Sequence, residues 1–252
     1  MTHRMAWIHR LSVAVLCGTA FWTTTAAPHA DNDGILPEAR RVLFLGDSIT
    51  YSGQFVEFIE AYVVTRFPDR EIEFLNLGLP SETVSGLSEE GHAGGQFPRP
   101  DLHERLERVL AKTRPDVVIA CYGMNDGIYK PFAEERFAQF TNGIVRLRAS
   151  VAASQAKILH VTPPTFDELK GGSNGYGATL DRYADWMLGQ RAAGWDVVDL
   201  HGPMNRFLAE RRKEEPNFFL ADDGVHPNET GHWIHREANP PAPWRERFGQ
   251  RG

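Results

Sequence analysis

The stretch VLFLGDSIT, residues 42–50, reads as a buried β-strand that runs without a spacer into a turn carrying Gly46, Asp47 and Ser48. An unbroken apolar run followed by glycine and two side chains that favour helix caps predicts a strand, a tight turn and the start of a helix. A serine on such a turn projects its hydroxyl from the carboxyl edge of a sheet. The first N–H groups of the following helix have no intrahelical acceptor there and face an anion. By itself the stretch leaves three readings open: a nucleophile at Ser48, a cap at Asp47 or Ser48, and a small phosphate-binding loop.

Outward from this point, β-rich runs recur at 72–77, 116–122, 157–162 and 195–200, each nearly continuous in hydrophobicity as strands covered on both faces are. Between them lie segments of helical period. Phe55, Phe58, Ile59, Tyr62 and Val63 mark a helix over 55–67 closed by Pro68, and Leu102, Leu106, Val109 and Leu110 mark another that ends before Pro115. Two more are read over 132–153 and over 176–193, the latter stopping at Gly194. This alternation implies right-handed crossovers and a three-layer α/β/α sandwich around a mainly parallel five-stranded sheet. Ligands of such sheets gather beyond the carboxyl ends of the strands.

With 252 residues, 42% hydrophobic and 24% charged, the chain fits one domain over 41–236. A formal charge of −6 without a basic stripe excludes nucleic acid as partner. The cluster Arg211, Arg212, Lys213 is followed at once by Glu214 and Glu215 and reads as a solvated helix end. At the N-terminus, His3, Arg4 and Arg10 precede the apolar stretch 11–22 and the small residues Ala26, Ala27 and Ala30, the layout of a secretory signal. Residues 1–30 are therefore expected to direct export to the periplasm or medium and to be cleaved, leaving a polar leader over 31–40 and no membrane partner. Leu16 before Cys17 disfavours a lipoprotein signal. Cleavage leaves Cys121 alone, at the end of an apolar run, where a small buried side chain is the commoner role.

A second constellation stands near the far end: Asp223, Gly224, Val225, His226, Pro227. A serine needs a base to take its proton, and the base needs a carboxylate to hold its tautomer. Asp223 and His226 supply both from one loop, although DG and HP are also ordinary turn pairs. Acyl transfer further needs donors for an oxyanion. Gly78 and Asn125 follow the second and third strands on the same predicted edge as Ser48. Taken singly, each is a common turn residue.

Together these blocks resemble the SGNH hydrolases, also called GDSL esterases and lipases, across the span 46–227 and in the family's order. The resemblance implies Ser48 as nucleophile, Gly78 and Asn125 with the Ser48 N–H as oxyanion hole, and Asp223 with His226 as the remaining triad. It implies hydrolysis of esters or thioesters with no metal or other cofactor. Among members, carbohydrate O-acetylesterases are the nearer likeness, which makes a small-molecule or polysaccharide acetyl ester the expected substrate. A lysophospholipase or thioesterase, or a carbohydrate-binding module without turnover, are the alternatives. Ile49 replaces the leucine of the namesake motif. Pro240, Pro241 and Pro243 are expected to cut short the closing helix and leave a tail over 237–252.

Other residues compete. Ser173 lies in a GxSxG match, Gly171 to Gly175, but Pro163 to Lys170 separate it from any strand, and an elbow needs one. Asp47 and His92 are candidate substrate-side residues; turn capping and an exposed loop position are the plainer readings. His201 reads as a helix start with Gly202 and Pro203, and Asp222 is out of register with His226. His232 and His235 are read as a solvated helix face rather than a metal pair.

Overall fold

The computed structural model describes residues 39–172 and 175–237. The expected signal, the leader up to residue 38, Ser173 with Asn174, and the tail from 238 lie outside them. The elements run β1 (Arg41–Gly46), α1 (Ser48–Ser52), α2 (Gln54–Arg66), β2 (Glu73–Asn76), α3 (Leu102–Thr113), β3 (Val117–Cys121), α4 (Glu134–Ala153), β4 (Lys157–Val161), α5 (Glu168–Gly171), α6 (Tyr176–Gly189), β5 (Val197–Val198), α7 (His201–Glu214) and α8 (Glu229–Glu237). The five strands are parallel in the order β2-β1-β3-β4-β5.

The strand residues sort by the two-residue side-chain period. Val42, Phe44, Ile119, Cys121, Leu159 and Val161 face one core, completed by Phe55, Ile59 and Val63 of α2, Met204 and Leu208 of α7, and Ile234 of α8. Leu43, Leu45, Val118, Ala120 and Ile158 face the other, under Leu102 and Leu106 of α3, Phe140, Ile144 and Leu147 of α4, and Tyr183 and Met187 of α6. Each aliphatic or phenylalanine side chain so buried contributes about 1.5–3 kcal/mol, and this two-sided burial fixes the strand register.

Element ends follow local chemistry. Asp101 accepts the His103 N–H to cap α3, and Arg114 in the left-handed conformation ends it before Pro115. The fifth strand is shorter than its apolar run predicts. The Thr162 hydroxyl takes the N–H groups of Leu200 and His201 at 2.8 and 3.0 Å, which stops the ladder and starts α7. At the chain's end α8 forms as nine residues and docks on α2 ahead of the prolines. His232 is 2% exposed and stacks on Phe55, so the solvated face expected there is corrected: this histidine faces the core. Burial and the nearby His226 push its pKa down to about 4.

Candidate active site

Register places the functional side chains. Gly46 pairs with Cys121, and the β2 edge continues past its last strand residue through Leu77 N–H to Phe44 O and Leu79 N–H to Gly46 O. Ser48 and Gly78 therefore lie on the same carboxyl edge of the sheet. Gly78 packs so closely on α1 that a Cβ would stand 2.3 Å from the Tyr51 nitrogen; only glycine fits. Below the edge Ile49, Met124, Phe166, Tyr176 and Leu180 form an apolar floor, with Tyr129 and Val225 packed against it.

Asp47 is the cap of α1: its Oδ1 accepts the Ile49 N–H at 3.0 Å, which makes Ser48 the first helical residue. Ser48 Oγ lies 2.7 Å from His226 Nε2, and His226 Nδ1 lies 2.6 Å from Asp223 Oδ2. The other Asp223 oxygen accepts the N–H groups of Val225 and His226 at 2.9 and 2.8 Å. A carboxylate only accepts, so Nδ1 carries the proton and Nε2 presents a lone pair to the serine hydroxyl. Partial burial pushes the Asp223 carboxyl up, but the bonds from the His226 ring and from the two amides outweigh it and hold it below its usual range. The arrangement can take a proton from Ser48 and stabilise the imidazolium that results.

The loop bearing this pair is anchored from beneath. Gly224 has φ of 84°, and a Cβ there would meet Gly171 Cα at 2.4 Å. Its carbonyl accepts the Asp167 N–H at 2.8 Å. The Asp167 carboxylate, fully buried, receives Arg212 at 2.7 Å on both oxygens, and Arg212 Nε donates to Phe218 O at 2.9 Å. Arg212 is thus turned inward to the loop, a correction to its reading as part of a solvated cluster. Arg211 and Lys213 do pair at the surface, with Glu215 and Glu210.

The expected oxyanion donors are close to this edge but differ in state. Asn125 is 3% exposed, and its Nδ2 donates to Glu82 O at 3.2 Å. The Gly78 N–H donates to Asn76 Oδ1 at 3.0 Å, while Asn76 Nδ2 holds Thr50 O at 2.7 Å. Its amide is therefore engaged rather than directed outward, as the motif alone would have it.

Of the other candidates, Asp47 is 3% exposed and serves the turn, not the cleft. His92 is half-buried, 3.4 Å from Glu89 and edge-on to Phe97, in the loop that leads to Arg99. His201 begins α7 and pairs with Asp181 at 2.7 Å. Cys121 is buried, and burial pushes its thiol well up. Ser173 lies outside the described residues, but α5 intervenes between β4 and its position.

Several site residues escaped the motifs. Asp126 Oδ1 accepts the Val84 and Ser85 N–H groups at 2.9 and 2.8 Å and ties the loop after Gly78 to that of Asn125. Its adjacency to Asn125 was the available signal. Burial first, and then the nearby acids Asp126 and Glu82, raises Asp47 to about 7, and burial raises Asp126 to about 6 against the hydrogen bonds it accepts. A carboxyl whose folded pKa is raised keeps its proton where the unfolded chain has lost it, so stability falls as pH rises from the unfolded value to the folded one. Asp47→Asn preserves the capping oxygen and removes this loss. Its stability relative to wild type is expected to climb between pH 4 and pH 7, by on the order of a few kcal/mol. Melting curves of both proteins across that range check this; parallel profiles would overturn it.

The chain matches the model of the GDSL-like lipase/acylhydrolase family over residues 44–234. No curated protein sequence matches it. Among solved structures it is similar to the acetylxylan esterase of Geobacillus stearothermophilus, with 22% identity and TM-score 0.62, covering 81% of this chain and 93% of that one. An alpha/beta hydrolase from the metagenome of Lake Arreo, Spain, is similar at 23% identity and TM-score 0.61, covering 81% and 94%. A gut microbial diltiazem-metabolizing enzyme matches at 24% identity and TM-score 0.62, and there the chain spans about half of its relative, 47%, while 81% of this chain is covered. These likenesses carry the fold. A match over most of the described residues carries the family: the chain belongs to the GDSL-like lipase/acylhydrolases, enzymes that hydrolyse esters.

Proposed function

We propose that the protein is an exported serine esterase that removes short acyl groups, acetyl above all, from carbohydrate-borne or small soluble esters. The observation that carries this reading is the continuous hydrogen-bonded relay Ser48–His226–Asp223 on the carboxyl edge of the sheet. His226 takes the Ser48 proton, the hydroxyl attacks the ester carbonyl, and Asp223 stabilises the imidazolium. His226 then protonates the leaving alcohol, and water, deprotonated by the same ring, releases the acyl group.

The developing oxyanion is received by the N–H of Ser48, the Asn125 amide and the Gly78 N–H. Gly78 reaches it by exchanging the neutral Asn76 oxygen for a charged one, and a charge-assisted bond is roughly twice as strong as a neutral one. Removing one such donor typically costs about 3 kcal/mol of transition-state stabilisation.

An open rim favours short esters on large carriers. The His226 and Asp223 side chains are 50% and 55% exposed, which leaves room for a polymer to lie across the site. The fold shared with an acetylxylan esterase agrees with that choice, and the N-terminal signal layout supports export.

The test takes enzyme from the exported fraction, its N-terminus sequenced, and measures acetate release from acetylated polysaccharide beside hydrolysis of p-nitrophenyl esters from acetate to decanoate. The expected results are a mature chain beginning just after 26–30 and kcat/KM falling with chain length. A decanoate preference would overturn the substrate reading in favour of lipids, an intact Met1 would overturn cleavage, and enzyme found only inside the cell would overturn export.

A further inference from the structure

Beside Asn125 the chain makes a turn that no motif announces. Ile128 and Tyr129 both lie in the left-handed region, at φ of 48° and 54°. For a β-branched residue that conformation is a true outlier, and such strain persists where surrounding structure enforces it. The Ile128 N–H closes the turn on Asn125 O at 2.9 Å. The turn carries Tyr129 back to Asn125, where its hydroxyl donates to Asn125 Oδ1 at 2.9 Å.

The amide is thereby held at both ends. Nδ2 donates to Glu82 O, which as a carbonyl only accepts; a flipped amide would set oxygen against oxygen. One Nδ2 hydrogen is committed to Glu82, and the second remains for an acyl oxygen. The Tyr129 ring is fixed in turn. Arg99 lies 5.4 Å over its centroid, itself gripped by Glu89 at 2.6 Å through both Nε and one terminal nitrogen. Tyr176 and Phe166 stand 5.0 and 6.0 Å from the same ring. Burial, and next the charge of Asp47, pushes the Tyr129 hydroxyl well above its ordinary range, so it stays a donor.

We propose that Tyr129 is a positioning residue for the reaction: through Asn125 Oδ1 its hydroxyl sets the angle at which the second Asn125 N–H meets the oxyanion, and the Ile128–Tyr129 turn serves to deliver that hydroxyl. The inference rests on the reading of Asn125 as an oxyanion donor, and the experiment separates the two. Tyr129→Phe, Asn125→Ala and the double variant are assayed for kcat and KM on p-nitrophenyl acetate, with a melting curve for each. Phenylalanine keeps the ring between Arg99 and Tyr176, so the melting temperature is expected to stay near that of wild type.

Tyr129→Phe is expected to lower kcat about tenfold with KM little changed, a fraction of the loss from deleting the donor itself. In the Asn125→Ala background the same substitution is expected to lower kcat no further. Wild-type kcat in Asn125→Ala would overturn the oxyanion reading beneath the proposal. A low kcat in Asn125→Ala with wild-type kcat in Tyr129→Phe overturns the positioning role alone. So does an equal loss from Tyr129→Phe in both backgrounds, or a loss that follows melting temperature.

Discussion

Ser48→Ala is expected to lower kcat toward p-nitrophenyl acetate by about 10⁴–10⁶-fold while the protein melts as wild type does. The stability half of this expectation follows from the local structure. The Ser48 hydroxyl bonds the exposed His226 ring, whereas the turn is held by Asp47 on Ile49 and by backbone bonds such as Tyr51 N–H to Asp47 O. The catalytic half follows from the relay. Without the hydroxyl no acyl-enzyme forms, and the remaining donors only bind the carbonyl. His226→Ala should lose about as much, and the double variant no more than either single one, because groups that act as a unit are not additive. Ser173→Ala is the control and should retain full activity, since among the described residues α5 stands between β4 and that position. Activity kept in Ser48→Ala and lost in Ser173→Ala would falsify the mechanism.

The nucleophile turn was legible because it is local. A buried strand, a glycine and a capping aspartate fall within a few consecutive residues, and Asp223 with His226 share one loop. Relations between distant segments were harder to read. Arg212 sat in a basic cluster that looked solvated, yet it continues the Met204 and Leu208 face at four-residue spacing, and that spacing carried its inward direction. The spacing of His232 to His235 points to a shared solvated face, but the His232 side chain answers to Phe55 on another helix. The apolar run 195–200 overstates the fifth strand because hydrophobicity reports burial, whereas pairing is ended by the hydroxyl of Thr162, just past β4. Glu82, Arg105, Tyr122 and Tyr129 belong to none of the motifs. Their meaning arises only when the fold brings their segments under the same edge.

Arg105→Met is the substitution expected to show how much rests on that gathering. Glu82 is fully buried and receives Arg105 at 2.6 and 2.7 Å and the Tyr122 hydroxyl at 2.6 Å. Two of the three proposed oxyanion donors, Gly78 and Asn125, hang on this pair. Arg105 also donates to Leu77 O at 2.8 Å, one residue before Gly78, and the Glu82 carbonyl holds the Asn125 amide. Leaving the carboxylate without its partner is expected to cost about 3–5 kcal/mol, and for a domain of this size the melting temperature should fall by roughly 10 °C. Burial already pushes the Glu82 pKa up against the pull of Arg105, so without the arginine the carboxyl takes a proton more readily. A folded pKa raised further means stability lost as pH rises, so the defect should be larger at pH 8 than at pH 5. Glu82→Gln combined with Arg105→Met removes the buried charge and should recover part of the stability. The recovered fold should still turn over slowly, because Leu77 has lost the donor that sets Gly78. A single variant that melts and turns over like wild type, at either pH, would show that the pair neither stabilises this edge nor places its donors.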